Sequence, residues 1–429
     1  MGLKATEHTF KSYLLFWIGQ LFSLLGSSII QFVIVWWIAE VTESPIYVSI
    51  AFFLGSLPMV IIPPIVGVFI DRWNRKVTIA VTDSVQAFIT FLIILIFIND
   101  IANIWLVITM NFFRGICQAI HFPTVNAIIP IMIPKKRLSR MNAINYLFTG
   151  IIRVIGPIVA ATLLAFFIIE QILWVDIFTF FIAIIPLLLI TVPSINANSK
   201  KTEKYSYFKD FKSGISILKS VKTLLILIVF ISVINLLNMP FTTLMSLFVL
   251  INHSGTAADF ALISAFLQIG IVIGAIIAST RKHWKHKELI ILYSVFIGIG
   301  GYLITTIAPK GYFLLMGIGT LIHGVLIPIV NTMFLTILQT RVPPKSQGRV
   351  FSIVVSIAAA VTPLGMIFSG PLAEVLGIRI LFIIVLYLQF VSIMVTWFFT
   401  NLKHIINKES KDEIIEKEEV SLRPEQIEL

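Results

Sequence analysis

Four charged residues, Asp83, Arg114, Arg153 and Asp176, stand inside long apolar runs of the chain. Desolvation favours a neutral carboxyl group and a nearby arginine favours the ionised one, so the balance between them decides whether an aspartate exchanges protons near neutrality. Two histidines, His121 and His323, also fall within apolar runs, and an imidazole titrates near pH 6.5 when unperturbed. Around these residues lie polar stripes at helical spacing: Gln20, Ser23, Ser27 and Gln31; Asn111, Arg114, Gln118 and His121; Asn235, Asn238 and Thr242; Thr320, His323 and Asn331. Steps of 3, 4 and 8 put each set on one face of a helix. Such faces line a binding cavity or serve as hydrogen-bonding seams between helices. Trp36, Trp37 and Tyr146 are candidates for stacking surface against a flat or cationic ligand. No phosphate-binding G-x-x-x-x-G-K-[ST], H-E-x-x-H or G-x-S-x-G occurs. Cys117 is the single cysteine, so neither an internal disulfide nor a C-x-x-C site exists. The expected chemistry is proton movement and binding of a small molecule, with no enzymatic step, no metal and no cofactor.

The elements that position these residues follow from composition. Of 429 residues 58% are hydrophobic and 12% charged, and the mean hydropathy is +0.99. Soluble domains carry roughly 25% charged residues, so lipid must be the solvent for most of this chain. The apolar runs are unbroken rather than alternating, which excludes a β-barrel, and the first run is too long for a cleavable signal. A hydrocarbon core of about 30 Å needs ~20 helical residues. Twelve runs qualify: 13–39, 45–70, 77–98, 103–124, 141–167, 171–192, 223–251, 258–280, 288–307, 312–338, 350–372 and 379–400. The apolar character after 124, past Pro123 and Pro130 to Ile133, predicts a short separate helix at the membrane edge.

The basic residues test this count. Arg114 and Arg153 lie within spans, and Lys310 and Arg379 fall on one side; every other Lys and Arg falls on the opposite side. The positive-inside rule makes that side, with both termini, cytoplasmic, in a multi-pass protein of the cell membrane. The formal charge of +11 then reflects topology and attraction to anionic lipid rather than a nucleic-acid partner. At ~1.5 Å per residue, Arg153 and Asp176 both lie about 20 Å from the cytoplasmic edge, so they are expected to pair. Asp83 and Arg114 share a depth in the inner half.

The one long polar stretch divides the spans six and six. The expected organisation is a bundle over 1–192, a cytoplasmic linker over 193–222, a second bundle over 223–401 and a cytoplasmic tail over 402–429. The bundles echo each other: Pro123-Thr-Val-Asn126 matches Pro328-Ile-Val-Asn331, and Gly150 with Pro157 matches Ser356 with Pro363. Two such matches in corresponding spans suggest a duplicated unit, a common transporter architecture.

Between the second and third spans stands Gly67-Val-Phe-Ile-Asp71-Arg72-Trp73-Asn74-Arg75-Lys76. This resembles the signature loop of the major facilitator superfamily, Gly-x-x-x-Asp-Arg-x-Gly-Arg-Lys/Arg, with Asn74 in place of the usual glycine; asparagine tolerates a left-handed turn there. The resemblance implies an all-α fold of twelve helices in two pseudo-symmetric bundles. It also implies a gating latch formed by Gly67, Asp71, Arg72, Arg75 and Lys76, although the same charges also suit a topology anchor. The matching loop between spans 8 and 9, Arg281 to Lys287, has no acid and is expected to anchor without latching. Gly156-Pro157 resembles the core of the antiporter motif, or is an ordinary proline kink. Phe113-Arg114-Gly115, Pro123-x-x-Asn126 and Gly348-Arg349-Val350-Phe351-Ser352 are similar to the branch of macrolide-efflux proteins and the enterobactin exporter. That branch implies proton-driven export of amphipathic compounds, and the chain is expected to work as a monomer. Arg114 resembles the family's proton-coupling arginine, and Asp83, Arg153 and Asp176 join it as coupling candidates. The cavity candidates are Gln20, Ser27, Gln31, Asn111, Gln118, His121, Asn235, Asn238, His323 and Asn331. Export of a siderophore or lysolipid, or a sensor that moves nothing, are the competing readings.

Overall fold

The computed structural model describes residues 6–70, 73–192, 221–280, 284–342 and 346–400. The described residues form twelve helices long and apolar enough to cross a membrane, as expected where every backbone group must find its partner within the helix. They are α1 (Glu7–Thr42), α2 (Pro45–Ile70), α3 (Arg75–Ile98), α4 (Ile104–Met132), α5 (Lys135–Phe166), α6 (Ile169–Leu189), α7 (Lys222–Leu247), α8 (Ala257–Thr280), α9 (Lys287–Ile307), α10 (Phe313–Arg341), α11 (Gln347–Leu376) and α12 (Ile378–Phe399). A π-helical turn, Phe248–Asn252, extends α7.

Local signals start and stop these helices. Thr6 and Thr9 form a reciprocal capping box at the start of α1, and the Thr9 hydroxyl also donates to the Met132 carbonyl at the end of α4 (3.0 Å). Asn74 accepts from the amides of Lys76 and Val77 (3.1 and 3.4 Å). Its φ of −73° is extended, so it replaces glycine as an N-cap and not as a left-handed turn residue. One boundary expectation fails. The region after 124 is no separate helix, because α4 runs unbroken through Pro123 and Pro130. Inside a bundle, neighbouring helices and side chains accommodate the carbonyl that each proline leaves free.

The helices pack as two groups with one contact pattern. In α1–α6, α1 packs on α5 and α6, α2 on α4, and α3 on both α4 and α6. Each pair recurs six helices later: α7 on α11 and α12, α8 on α10, and α9 on both α10 and α12. Between the groups, α2 meets α11 and α5 meets α8, which are again equivalents.

The buried clusters show how the groups meet. One end of the molecule carries the start of α1 and most of the Lys and Arg residues; call it the basic end, and its opposite the lean end. At the basic end each group has its own core. Tyr13, Phe16, Ile79, Met132 and Leu187 belong wholly to the first group, and Leu224, Ile291, Ile337, Val350 and Ile393 wholly to the second. At the lean end the cores are shared. Ile34, Trp37, Val48 and Ile93 cluster with Phe241, Phe248, Ala373 and Phe382, and Phe32, Trp36 and Ala160 with Ala257 and Ala261. Phe260 of α8 stacks on Phe32 of α1 (5.1 Å, 18°) and on Trp36 (6.2 Å, 21°). Gly370 of α11 lies against the Pro45 carbonyl and the Ser49 side chain of α2, where a β-carbon would crowd both. Near the basic end, Tyr146 and Leu147 of α5 and Phe351 and Val355 of α11 are exposed. The groups are therefore joined at the lean end and parted at the basic end.

Candidate functional site

The interior of the first group holds polar clusters stacked turn by turn along one face of α3. Asp83 on α3 lies 3.1 Å from His121 Nε2 on α4, an ion-pair distance without hydrogen-bond alignment. Gln20 Nε2 on α1 donates to the other Asp83 oxygen (3.4 Å). One helical turn beyond Asp83, Gln86 donates to Ser27 Oγ (3.0 Å) and accepts from Gln118 Nε2 (3.1 Å). A further turn along, Thr90 donates to Asp176 Oδ2 on α6 (2.6 Å) and contacts the Arg114 guanidinium. Arg114 Nη1 completes this last cluster on Asp176 Oδ2 at 2.7 Å, and both side chains are almost fully buried. Four helices, α1, α3, α4 and α6, are thus tied through charges that a low-dielectric interior tolerates only when paired.

This arrangement corrects the expected partners. Asp176 pairs with Arg114 and not with Arg153, which is exposed on α5. An expected shared depth does not fix rotation about the helix axis, and α6 packs mainly on α1 and α3 rather than on α5. Asp83 meets His121 instead of Arg114, seven residues along the same face of α4. Asn111 is buried against Gly55 of α2 and faces that helix instead of a cavity. The Thr320 hydroxyl turns to the Ile263 carbonyl of α8 (3.1 Å). Trp36 and Trp37 lie in the lean-end cores, whereas Tyr146 is exposed. Gln31 and Thr242 are exposed and Ser23 is half-buried.

The second group is built differently. Asn235 and Asn238 of α7, Ser294 of α9, His323 and Asn331 of α10, and Gln389 of α12 line one cavity of about 70 Å³. Gln389 Nε2 donates to Asn238 Oδ1 (3.0 Å). The His323 ring stacks on Tyr302 (3.8 Å, 21°), Tyr302 on Phe241 (4.1 Å) and Phe241 on Phe382 (4.2 Å). The column continues through Phe248 to His253 at the lean end (5.0 and 4.9 Å).

At the basic end, Asp71 and Arg72 lie outside the described residues, and Gly67 ends α2 in helical backbone. Arg75 is buried. The Lys76 ammonium donates to the carbonyls of Leu188 and Ile190 (2.7 Å each), capping the C-terminus of α6. In the second group Glu288, one residue beyond the loop expected to lack an acid, is buried and binds Arg341 at 2.5 Å. Arg341 also donates to Thr223 (2.7 Å), so an ionic clamp joins α7, α9 and α10. Gly156 of α5 lies against Ser28 of α1, where a β-carbon would clash.

Several of these residues escaped the sequence reading. Gln86 and Thr90 continue the face of Asp83 at steps of 3 and 4, so the same stripe test applied to the third span finds them. Gln389 opens a comparable stripe with Ser392 and Thr396 at steps of 3 and 4, so the same test applied to the twelfth span finds it.

Residues 16–363 match the profile described as Major Facilitator Superfamily. Macrolide efflux protein A of Streptococcus pyogenes is 25% identical over 363 residues, covering 85% of this chain and 89% of that protein. The staphyloferrin A transporter of Staphylococcus aureus is 21% identical and covers 93% of this chain and 96% of its own. Among solved structures, a bacterial homologue of the human lysosomal transporter Spinster, in an inward-facing and unoccupied conformation, superposes with a TM-score of 0.67 at 14% identity, covering 90% of this chain and 96% of that one.

Proposed function

Because the chain belongs to the Major Facilitator Superfamily, we propose that it exports amphipathic organic compounds by alternating access, driven by inward movement of protons. The positive-inside rule assigns the basic end and both termini to the cytoplasm, so the parted end faces inward and the joined end outward. The two groups, 1–192 and 223–401, are the rocking units, and 193–222 connects them. Separate cores at the basic end and shared cores at the lean end support this division. The name of the macrolide efflux relative supports an amphipathic cargo.

The observation that carries the coupling proposal is the Asp83–His121 pair. A buried carboxylate beside a titratable imidazole holds a proton in one arrangement and releases it when a cationic cargo takes over the carboxylate. Gln20 lies alongside as a neutral hydrogen-bond donor. Arg114–Asp176 is a buried, hydrogen-bonded pair and belongs to the frame behind Asp83 and His121, while Arg153 is exposed. The loop from Gly67 to Lys76 acts as the inner latch, with Asp71 as its essential acid, once the basic ends approach.

The test is reconstitution in liposomes with a lumenal pH dye. Substrate flux down its gradient should move protons the opposite way, and Asp83→Asn should abolish flux driven by a pH gradient while sparing downhill exchange. Flux indifferent to pH gradients of either sign would remove proton coupling from the account. Export of a siderophore is the second reading, favoured by the staphyloferrin A transporter's resemblance over nearly the whole chain.

A further inference from the structure

The two groups repeat each other's helix packing, yet their interiors differ in kind. The first is filled by charged clusters. The second, between the equivalent helices α7, α9, α10 and α12, is a cavity whose lining sets neutral polar side chains among apolar ones such as Ile234 and Leu326, with no charged residue. We propose that this cavity is a subsite for an uncharged, hydroxyl- or carbonyl-bearing part of the cargo. The proposal rests on the efflux reading above and names the chemistry of its ligand.

Hydrogen-bond accounting carries the argument. Asn238 Oδ1 accepts from Gln389 Nε2, which leaves the Asn238 amide hydrogens and the Gln389 carbonyl oxygen to the cavity. His323 Nδ1 sits 3.4 Å from the Gly298 carbonyl. A carbonyl only accepts, so Nδ1 carries the hydrogen and Nε2 is an acceptor. Stacking on Tyr302 fixes the ring that presents this acceptor, which lowers the ordering cost of any partner that meets it. Asn235 and Asn331 line the same space and form no side-chain hydrogen bond with the described residues.

Gln389 is buried, Asn235, Asn238 and His323 are partly buried, and Asn331 is exposed at the rim. A ligand group that displaces water from their donors and acceptors must replace those hydrogen bonds, because each one left unpaired costs about 1–3 kcal/mol. A purely apolar ligand group would strand them. A charged group would meet no counter-charge among the lining residues and would lose its hydration uncompensated. A group bearing both hydroxyls and carbonyls satisfies the set. The volume of about 70 Å³ holds several water molecules, enough to be exchanged for one such group but not for a whole amphipathic molecule. The bulk of the cargo therefore remains between the two groups, with its polar uncharged edge in this subsite.

Two probes with the same charge and opposite hydrogen-bonding capacity separate the possibilities. Erythromycin carries one basic nitrogen and many hydroxyl and carbonyl groups; tetraphenylphosphonium carries one positive charge and none. Equilibrium binding of each labelled probe is measured on the purified full chain, wild type and with Asn235→Leu or Asn331→Leu. Neither side chain supports the fold through a hydrogen bond, and tetraphenylphosphonium binding itself reports a folded protein. The expected result is an approximately tenfold weaker erythromycin affinity, about 1.4 kcal/mol, with tetraphenylphosphonium changed less than about twofold. Equal loss for both probes, or no loss for erythromycin, overturns the subsite and leaves the efflux reading standing. Binding of neither probe by wild type overturns the efflux reading and the subsite with it.

Discussion

Replacing Asp176 by alanine strips Arg114 of its counter-charge in a site where both side chains are under a tenth exposed. Removing one partner of a buried pair costs about 3–5 kcal/mol, because the remaining charge is neither paired nor hydrated. Unfolding entropies near 2.1 cal/mol/K per residue convert this to temperature. If all 429 residues melt together, the entropy is ~0.9 kcal/mol/K and the melting temperature falls by ~4 °C; if the first six helices melt alone, it falls by ~10 °C. The chain supplies its own reporter. Cys117, the single cysteine, is buried on α4 three residues beyond Arg114, so a dye that fluoresces on reaction with a thiol follows exposure of this region in detergent. The control is Arg153→Ala, whose exposed side chain should cost no more than about 0.5 kcal/mol. The double change Arg114→Met with Asp176→Leu should recover most of the loss, since apolar pairs of similar volume substitute well for buried ion pairs. Equal melting of Asp176→Ala and Arg153→Ala would refute the assignment of this pair as the support of the first bundle.

Three further outcomes are expected. Glu288→Gln breaks the clamp to Arg341; because Arg341 is about one-fifth exposed, the expected cost is smaller, about 1–3 kcal/mol, read as a lower melting temperature with the same dye. Phe260→Ala removes the stack across the lean end and should shift the population towards the opposite state, seen as a shorter distance between spin labels at positions 146 and 355; an unchanged distance would show that the stack does not hold the lean end shut. His253, just past the span of α7, has its pKa lowered by burial and by Arg379. Its neutral form is favoured in the folded protein, so stability is full above about pH 6.5 and falls as pH drops through the lowered value. His253→Gln should flatten that decline in melting temperature.

The residues differ in how much of their role sequence could reveal. Helix number, approximate length and the six-and-six division follow from apolar runs, the long polar stretch and the asymmetry of Lys and Arg, quantities that survive errors of a few residues. Partner choice requires rotation about each helix axis, which a linear sequence encodes only through stripes. Arg153 and Asp176 were paired on expected depth and fail in azimuth, and Asp83, expected at the depth of Arg114, meets His121 seven residues along the same stripe of α4. Asn111 and Thr320 sit on the same broad faces as cavity residues but near the edge that meets α2 or α8. Glu288 was missed because the expected loop ended one residue short of it; it stands at the start of α9 as Lys76 does at the start of α3, and binds Arg341 within its own group.

The division of the cores has a consequence for how the chain could be taken apart. Each group keeps a private apolar cluster at the basic end, so each has something to fold around when made by itself. At the lean end neither group is complete, since Phe260 needs Phe32 and Trp36, and Gly370 needs the α2 backbone. Two fragments expressed from separate messages, cut between 193 and 220, should therefore insert independently and reassociate by their lean ends. Either fragment alone would present that surface to lipid or to a copy of itself.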